Sequence, residues 1–281
     1  MAILIPNQAK LDKTIAQIKK EGTDKIHILS DFDRTLTYGS INGQKTPSLI
    51  SVLRNGMYLT PDYAPQAHAL FDKYHPIELD NKIPLAERKQ AMETWWRTHK
   101  QLLIDSGLHK KDLLKIVKDK NIKFRKGVSK FLDYLHENNI PLVILSGSGA
   151  GEAVPFFFQN IKKDYPNIHY ITNKLNWSDD GRALSIKEPV IHSLNKDEIL
   201  VKNFPEIYKE VKNRKNVILL GDSLGDVNMV SGFDYDNLIK IAFLNYNIEE
   251  LRSSYLENFD IIITDDADFN YVNDLIKYLC K

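Results

Sequence analysis

Six short apolar runs constrain this chain more than any other feature: Ile26–Leu29, Pro141–Leu145, Ile168–Thr172, Val217–Leu220, Ile239–Leu244 and Ile261–Thr264. They are nearly unbroken in hydrophobicity and too short for core helices, the pattern of strands buried on both faces. Helical spacing fills most of the intervals, and it also appears around Leu11, Ile15 and Ile18 and over Val128–Glu137. Strand–helix alternation of this kind predicts an α/β fold, a doubly wound and mainly parallel sheet covered by helices. The alternation is interrupted once. After Thr37 come turn markers at Gly39, Gly43 and Pro47, then helical spacing over Asp62–Tyr74, Leu85–Asp105 and Lys110–Lys118. A chain of 281 residues has room for such an insertion. The expected organisation is an α/β core of residues 1–39 and 124–281, with a mainly helical cap, 40–123, inserted after the first strand.

Open sheets of this class bind ligands at the carboxyl ends of their strands. Asp31-Phe32-Asp33-Arg34-Thr35 follows the first run, Ser146 the second, Asn173 the third, and Asp222 follows Val217–Leu220 through Gly221. Residues two apart on extended backbone point the same way, so Asp31 and Asp33 face one small volume. Such a pair stays together only if a cation neutralises it or one member keeps a proton. Either solution is useful chemistry, because an ionised Asp beside a metal is a nucleophile and a protonated partner is an acid.

In Gly221-Asp222-Ser223-Leu224-Gly225-Asp226 the glycines permit a tight turn, and the aspartates share a site if the turn is helical. An all-oxygen donor set without His or Cys suits Mg2+. Leu145-Ser146-Gly147-Ser148-Gly149, ahead of an expected helix, offers a hydroxyl and free amides to an anion. Each feature alone has a plainer explanation: Asp-rich turns cap helices, and Gly-rich turns join strands to helices. Their recurrence at four strand ends carries the functional reading. Lys187 and Lys196 are both candidate phosphate cations, and spacing does not choose between them.

Composition removes other classes. With 38 basic and 37 acidic residues, bulk electrostatics does not favour a nucleic-acid polymer as partner. The single cysteine, Cys280, rules out an intrachain disulfide and a thiolate metal cluster and fits a reducing compartment. Met1–Lys13 lacks the apolar core of a secretion signal, and no run is long enough to span a bilayer. A cytoplasmic protein without membrane contact, monomeric or weakly homo-oligomeric, is expected. His99 is expected on the surface.

Together, Asp31-Phe32-Asp33-Arg34-Thr35, Ser146, a downstream lysine and Gly221-Asp222-x-x-Gly225-Asp226 resemble the four motifs of the haloacid dehalogenase superfamily. Pro76-Ile77-Glu78-Leu79-Asp80, Glu93-Thr94-Trp95-Trp96, Ile191–Lys196 and Ile218–Ser223 further resemble, in order and spacing, the cytosolic pyrimidine 5′-nucleotidases, the type III cytosolic 5′-nucleotidases. The likeness runs from about Asp31 to Asn245. It implies a Mg2+-dependent 5′-nucleotidase acting on nucleoside 5′-monophosphates of pyrimidine or 7-methylguanosine type through an aspartyl-phosphate.

In that pattern Asp31 is the nucleophile and Asp33 the acid and base. Asp31, Asp222 and the Asp33 carbonyl hold Mg2+, with Asp226 orienting the metal from behind. Ser146, Gly147 and Lys196, rather than Lys187, hold phosphate, and Asn173 steadies that part of the site. Glu78, Trp95 and Trp96 take the base. Adjacent helical residues point about 100° apart, so one tryptophan stacks and the other packs. Two positions depart from the family: Ser148 replaces a usual Gly, and Arg34 stands where the residue is often apolar or Gly. Arg34 either adds charge near the phosphate or leans over the hinge. Two rival readings remain: a superfamily phosphatase for a small non-nucleotide phosphomonoester, and a catalytically silent relative that binds a nucleotide or protein. Loss of Asp31, Asp33 or Asp222 would mark the second, and all three are present.

Overall fold

The computed structural model describes residues 2–118 and 122–281. The chain opens with β1 (Ile3–Leu4), α1 (Gln8–Glu21) and β2 (Ile26–Ser30). A short hairpin, β3 (Ser40–Ile41) and β4 (Gln44–Lys45), leads into α2 (Leu49–Asn55), α3 (Tyr63–Leu79), α4 (Leu85–Asp105) and α5 (Lys110–Lys118). Then follow α6 (Val128–Glu137), β5 (Leu142–Ser146), α7 (Val154–Asn160), β6 (Ile168–Thr172) and a second hairpin, β7 (Lys174–Trp177) with β8 (Ala183–Lys187). The chain closes with α8 (Pro205–Val211), β9 (Asn216–Gly221), β10 (Asn237–Leu244), α9 (Ile248–Asn258), β11 (Ile261–Thr264) and α10 (Asn270–Leu279).

All six apolar runs are strands of one seven-stranded sheet, in the order β1-β11-β10-β9-β2-β5-β6. Every pairing is parallel except that of β1 with β11. The runs read as continuous hydrophobicity because both faces are covered. Ile26 and Ile28 of β2 join a core with Leu11 and Ile18 of α1 and Phe131 of α6. Leu29 faces the other way, into a core with Ile207, Val211, Tyr255 and Phe259. In α6 the buried positions are Val128, Phe131, Leu132 and Leu135, one stripe at helical spacing. Truncating Phe131 to Ala should cost about 3–5 kcal/mol of stability.

The chain first winds outward from β2 through β5 to β6, then returns to build β9, β10 and β11 on the other side. The crevice between β2 and β9 is therefore the topological switch point, where open α/β sheets bind ligands.

Between β2 and β5 the expected helices are present, with differences at the edges. α3 runs five residues past the expected end at Tyr74 and includes Pro76. The lost hydrogen bond is tolerated one turn from the helix end, where Tyr74 stacks on Trp95 of α4 at 6.0 Å and Phe71 meets it edge-on. α2 and the two hairpins go beyond the expected elements, since a helix of seven residues and strands of two to five leave little periodic signal. Residues 119–121, near the expected insertion boundary at 123, lie outside the described residues. Among the described residues no helix is long and apolar enough to cross a membrane.

Candidate active site

Three adjacent strands deliver the acidic and hydroxyl groups to one edge. β2 ends at Ser30, and Asp31 follows with its N–H donated to Leu220 O of β9 at 3.0 Å. Asp222 leaves β9 directly, and Ser146 is the last residue of β5. Carboxylate oxygens of Asp31, Asp222 and Asp226 lie within 4.8 Å of one another. Lys196, almost fully buried, donates to Asp31 Oδ1 at 2.6 Å and Asp226 Oδ1 at 2.7 Å.

Asp226 is saturated by the protein. Its Oδ2 accepts the Asp222 N–H at 3.1 Å, the Ser223 N–H at 3.0 Å and the Ser223 hydroxyl at 2.9 Å. The glycines of this turn have negative φ and serve close approach instead of a left-handed backbone. A Cβ on Gly221 would stand 2.5 Å from that of Asp226. The Asp222 carboxylate, in contrast, accepts no hydrogen bond among the described residues, while its carbonyl is held by the Tyr255 hydroxyl at 2.7 Å.

The electrostatics follow from crowding. Burial raises the Asp31 pKa well above the carboxylate range; Lys196 opposes this, and Asp226 and Asp222 add to it. Burial, then Asp226, pushes Asp222 up to about 7. Burial pushes Asp33 up to about 6 against Arg34 and a hydrogen bond from the Leu49 N–H. Burial disfavours the Lys196 ammonium, but Asp226 and Asp31 outweigh it and hold the lysine charged. One ammonium facing three close carboxylates leaves the cluster short of positive charge. With oxygen donors only, and with Asp222 free to coordinate, the residues fit a small divalent cation such as Mg2+.

Beside the acids, the Ser146 hydroxyl accepts the Ser148 N–H at 3.2 Å. A Cβ on Gly147 would lie 3.1 Å from the His192 carbonyl carbon, so a side chain would press on that backbone. Asn173 ties the Ser146 loop to the segment carrying Lys196. Its Nδ2 donates to Ile191 O at 2.6 Å, Ser148 O at 3.0 Å and Gly147 O at 3.3 Å, and its Oδ1 accepts the Ile191 N–H at 2.9 Å. The expected helix does not start at this loop: α7 begins at Val154, after a 3-10 turn over Gly151–Ala153. No helix dipole therefore starts at the loop amides. The Ser148 N–H closes the loop onto Ser146, and the buried Ser148 hydroxyl has no hydrogen-bond partner among the described residues. Lys187 lies exposed on β8, away from this cavity.

The acids open into a cavity of about 610 Å³ that also touches Glu78, Trp95 and Trp96. Glu78, near the end of α3, accepts from Ser193 Oγ at 2.5 Å and lies 2.9 Å from His75 Nδ1. Burial pushes its pKa up, but these hydrogen bonds prevail and keep it ionised. The two tryptophan rings are 5.0 Å apart. Trp95 is packed against Tyr74, and Trp96 is the more open of the two. His99 corrects the expectation of a surface residue: one helical turn beyond Trp95, it is buried and bonded to the Tyr63 hydroxyl at 2.9 Å. Burial lowers its pKa to about 3.

Arg34 lines the cavity, and its Nε donates to Thr46 O at 3.3 Å, in the segment between β4 and α2. Its φ of 62° is left-handed, a conformation that Gly adopts without strain and Arg does not. A residue that the sequence did not single out holds this turn in place. Arg125, wholly buried, donates to Arg34 O at 2.6 Å, Thr35 O at 2.9 Å, Asn245 Oδ1 at 2.7 Å, Ala267 O at 2.7 Å and Asp266 Oδ1 at 2.8 Å. It stands in the charged stretch Lys123-Phe124-Arg125-Lys126, where nothing local separates it from a solvated surface cation. A second cavity, about 660 Å³, opens beside β6 and Trp177 but contains no pair of acids.

Comparison with known proteins gives the family. The family profile described as pyrimidine 5′-nucleotidase (UMPH-1) matches residues 34–280, beginning just after Asp33. The 7-methylguanosine phosphate-specific 5′-nucleotidase of Mus musculus is 32% identical over 278 residues, covering 99% of this chain and 92% of that one. The protein of the same name from Drosophila melanogaster is 28% identical over 275 residues, covering 97% and 86%. The crystal structure of cytosolic 5′-nucleotidase IIIB bound to cytidine superimposes with a TM-score of 0.88 at 25% identity, covering 99% of this chain and 93% of that one. A substrate-bound phosphoserine phosphatase shares the fold, with a TM-score of 0.50 at 20% identity over 90% of this chain and 97% of that one. The chain belongs to the pyrimidine 5′-nucleotidase family and is a phosphomonoester hydrolase of the haloacid dehalogenase type.

Proposed function

We propose that the protein removes the 5′-phosphate from nucleoside 5′-monophosphates, of pyrimidine or 7-methylguanosine type, through an aspartyl-phosphate on Asp31. One observation carries the reading: the Asp31–Asp222–Asp226–Lys196 cluster and the Glu78–Trp95–Trp96 wall line the same cavity. A phosphate site joined to an aromatic wall with an acceptor suits a nucleotide better than a small phosphate ester.

In this reading an Asp31 oxygen attacks phosphorus in line, its bond to phosphorus forming as the bond to the ribose O5′ breaks. Asp33 gives its proton to O5′, so the nucleoside leaves neutral. Asp33 then takes a proton from water as the water oxygen attacks the phosphorus. Asp31 is released as a carboxylate with inorganic phosphate as the second product. Ser146, the Gly147 amide and Lys196 hold the phosphate oxygens. Asp31, Asp222 and the Asp33 carbonyl would hold Mg2+, with Asp226 holding the Asp222 turn in shape. When bound, the cation neutralises carboxylate–phosphate repulsion and stabilises charge developing on the phosphoryl oxygens. Residues 40–123 act as the cap, excluding water and gripping the base. Glu78, which can only accept, suits an exocyclic amine or ring N–H, and the partly open Trp96 is the better placed for stacking.

The test is phosphate release from all nucleoside 5′-monophosphates, 7-methyl-GMP, phosphoserine and p-nitrophenyl phosphate, with Mg2+ and with EDTA. Turnover of nucleotides in Mg2+ alone, abolished in Asp31→Asn, is expected. Preference for phosphoserine would favour the small-ester phosphatase, and no release from any ester would leave only a binding role.

A further inference from the structure

Arg54, on α2, is only 6% exposed, yet it lines the cavity that holds Glu78, Trp95 and Trp96. Its guanidinium lies 4.1 Å from the centre of the Phe71 ring. It makes one hydrogen bond among the described residues, from NH2 to Ser51 Oγ at 3.2 Å, and that hydroxyl is itself 2.9 Å from Ser48 Oγ. Its Nε has no hydrogen-bond partner among the described residues. Asp72 and Tyr63 are near enough to be felt electrostatically, but neither hydrogen-bonds to it. A guanidinium carries five N–H donors. Burying it with most of them unused is costly unless something else supplies acceptors.

The same aromatic cluster carries an acceptor. Phe71 stacks on His75 at 4.5 Å, and His75 lies 2.9 Å from the Glu78 carboxylate. The wall built from α2, α3 and α4 thus presents a buried donor, Arg54, and a half-buried acceptor, Glu78, around rings suited to a flat ligand. Phosphate already has Lys196, Ser146 and the Gly147 amide, so Arg54 is not needed there.

We infer that Arg54 is a specificity-determining residue that donates to a carbonyl oxygen on the edge of the base. This rests on the nucleotidase reading and narrows its substrates to bases with an exocyclic carbonyl, such as uracil, cytosine and guanine derivatives. Adenine has no such oxygen, and AMP is disfavoured because it leaves the guanidinium buried and unsatisfied.

The experiment is kcat/KM, by phosphate release, for UMP, 2-thio-UMP, 4-thio-UMP and AMP, on wild type, Arg54→Met and Ser51→Ala. Sulfur accepts hydrogen bonds poorly and leaves the rest of the base in place. Wild type should favour UMP over AMP and over one thio analogue by about tenfold or more. Arg54→Met should bring those ratios to within about twofold of unity. Because each ratio compares substrates on one variant, loss of folded enzyme cancels. Ser51→Ala removes the one hydrogen bond orienting Arg54 and should lower the ratios several-fold, which decides the matter where Arg54→Met does not fold. Equal kcat/KM for all four on wild type, or unchanged ratios in either variant, overturns the inference alone. No release from any nucleotide overturns the nucleotidase reading and the inference with it.

Discussion

Replacing Arg125 by Met tests whether one buried cation sets the turn that carries Asp33. The guanidinium is fully enclosed, with its carbon 4.3 Å from the centre of the Phe243 ring. Methionine keeps much of the stem packing and removes every donor. Some partners survive. Asp266 still accepts the Gly39 and Ser40 N–H groups at 2.7 Å each and the Ser40 hydroxyl at 2.9 Å, and Arg34 O still accepts Asn245 Nδ2 at 3.1 Å. The carbonyls of Thr35 and Ala267 lose their Arg125 donor, at about 1–3 kcal/mol for each buried group left bare. Together with the broken Asp266 pair, the loss should be about 3–5 kcal/mol. For a chain of this size that lowers Tm by about 6–10 °C. Urea unfolding should show the midpoint fall with little change in slope, and Arg125→Lys, which keeps charge without the fork, should lie between. Because Arg34 is adjacent to Asp33, kcat should fall as well. A stability loss under about 1 kcal/mol with kcat unchanged would falsify the claim that this hub holds the turn.

Lys196→Met leaves Asp31, Asp222 and Asp226 together without their ammonium, and should cost about 3–5 kcal/mol in EDTA. Added Mg2+ should restore more stability to the variant than to wild type, while phosphate release stays at least about a hundredfold down; an equal Mg2+ effect on both contradicts the shared cluster. Tyr255→Phe removes the hydroxyl on the Asp222 carbonyl and should raise the Mg2+ concentration for half-maximal activity about tenfold, as outer-shell changes do. An unchanged Mg2+ requirement assigns Tyr255 to packing. His27, buried with Nδ1 2.6 Å from Arg214 O, has its pKa lowered to about 4, chiefly by burial. Unfolded histidine binds its proton near 6.5, so the unfolded state takes up protons first as pH falls. This contribution is complete above 6.5 and lost between about 6.5 and 4, in total about 3 kcal/mol. Urea unfolding across that window should give His27→Gln a shallower loss of stability than wild type, by about 1.4 kcal/mol per pH unit; equal slopes reject it.

Much of the fold was legible because it rests on local pattern. Buried parallel strands write continuous apolar runs, and α6 writes its stripe of Val128, Phe131, Leu132 and Leu135, so sheet and helices could be read from spacing alone. The acids at strand ends were legible for the same reason: once Ile26–Ser30 is a strand, Asp31 has only one place to be. Spacing could not choose Lys196 over Lys187. That choice depends on Asn173 drawing the Ile191–Lys196 segment against the Ser146 loop, a contact between residues 18 apart in sequence.

His99, Arg54 and Arg125 show the other limit. Each is a polar residue of a kind usually solvated, and a side chain's local sequence is the same whether it meets water or a protein wall. Burial of all three comes from what packs over them: Tyr63 on His99, Phe71 on Arg54, and the ends of β10 and β11 around Arg125. Periodicity along the chain settled which atoms leave the sheet at its carboxyl edge. Which buried cation meets a carboxylate, a carbonyl or nothing at all was decided by elements far apart in sequence, because desolvation depends on everything within a few ångströms and not on neighbours along the backbone.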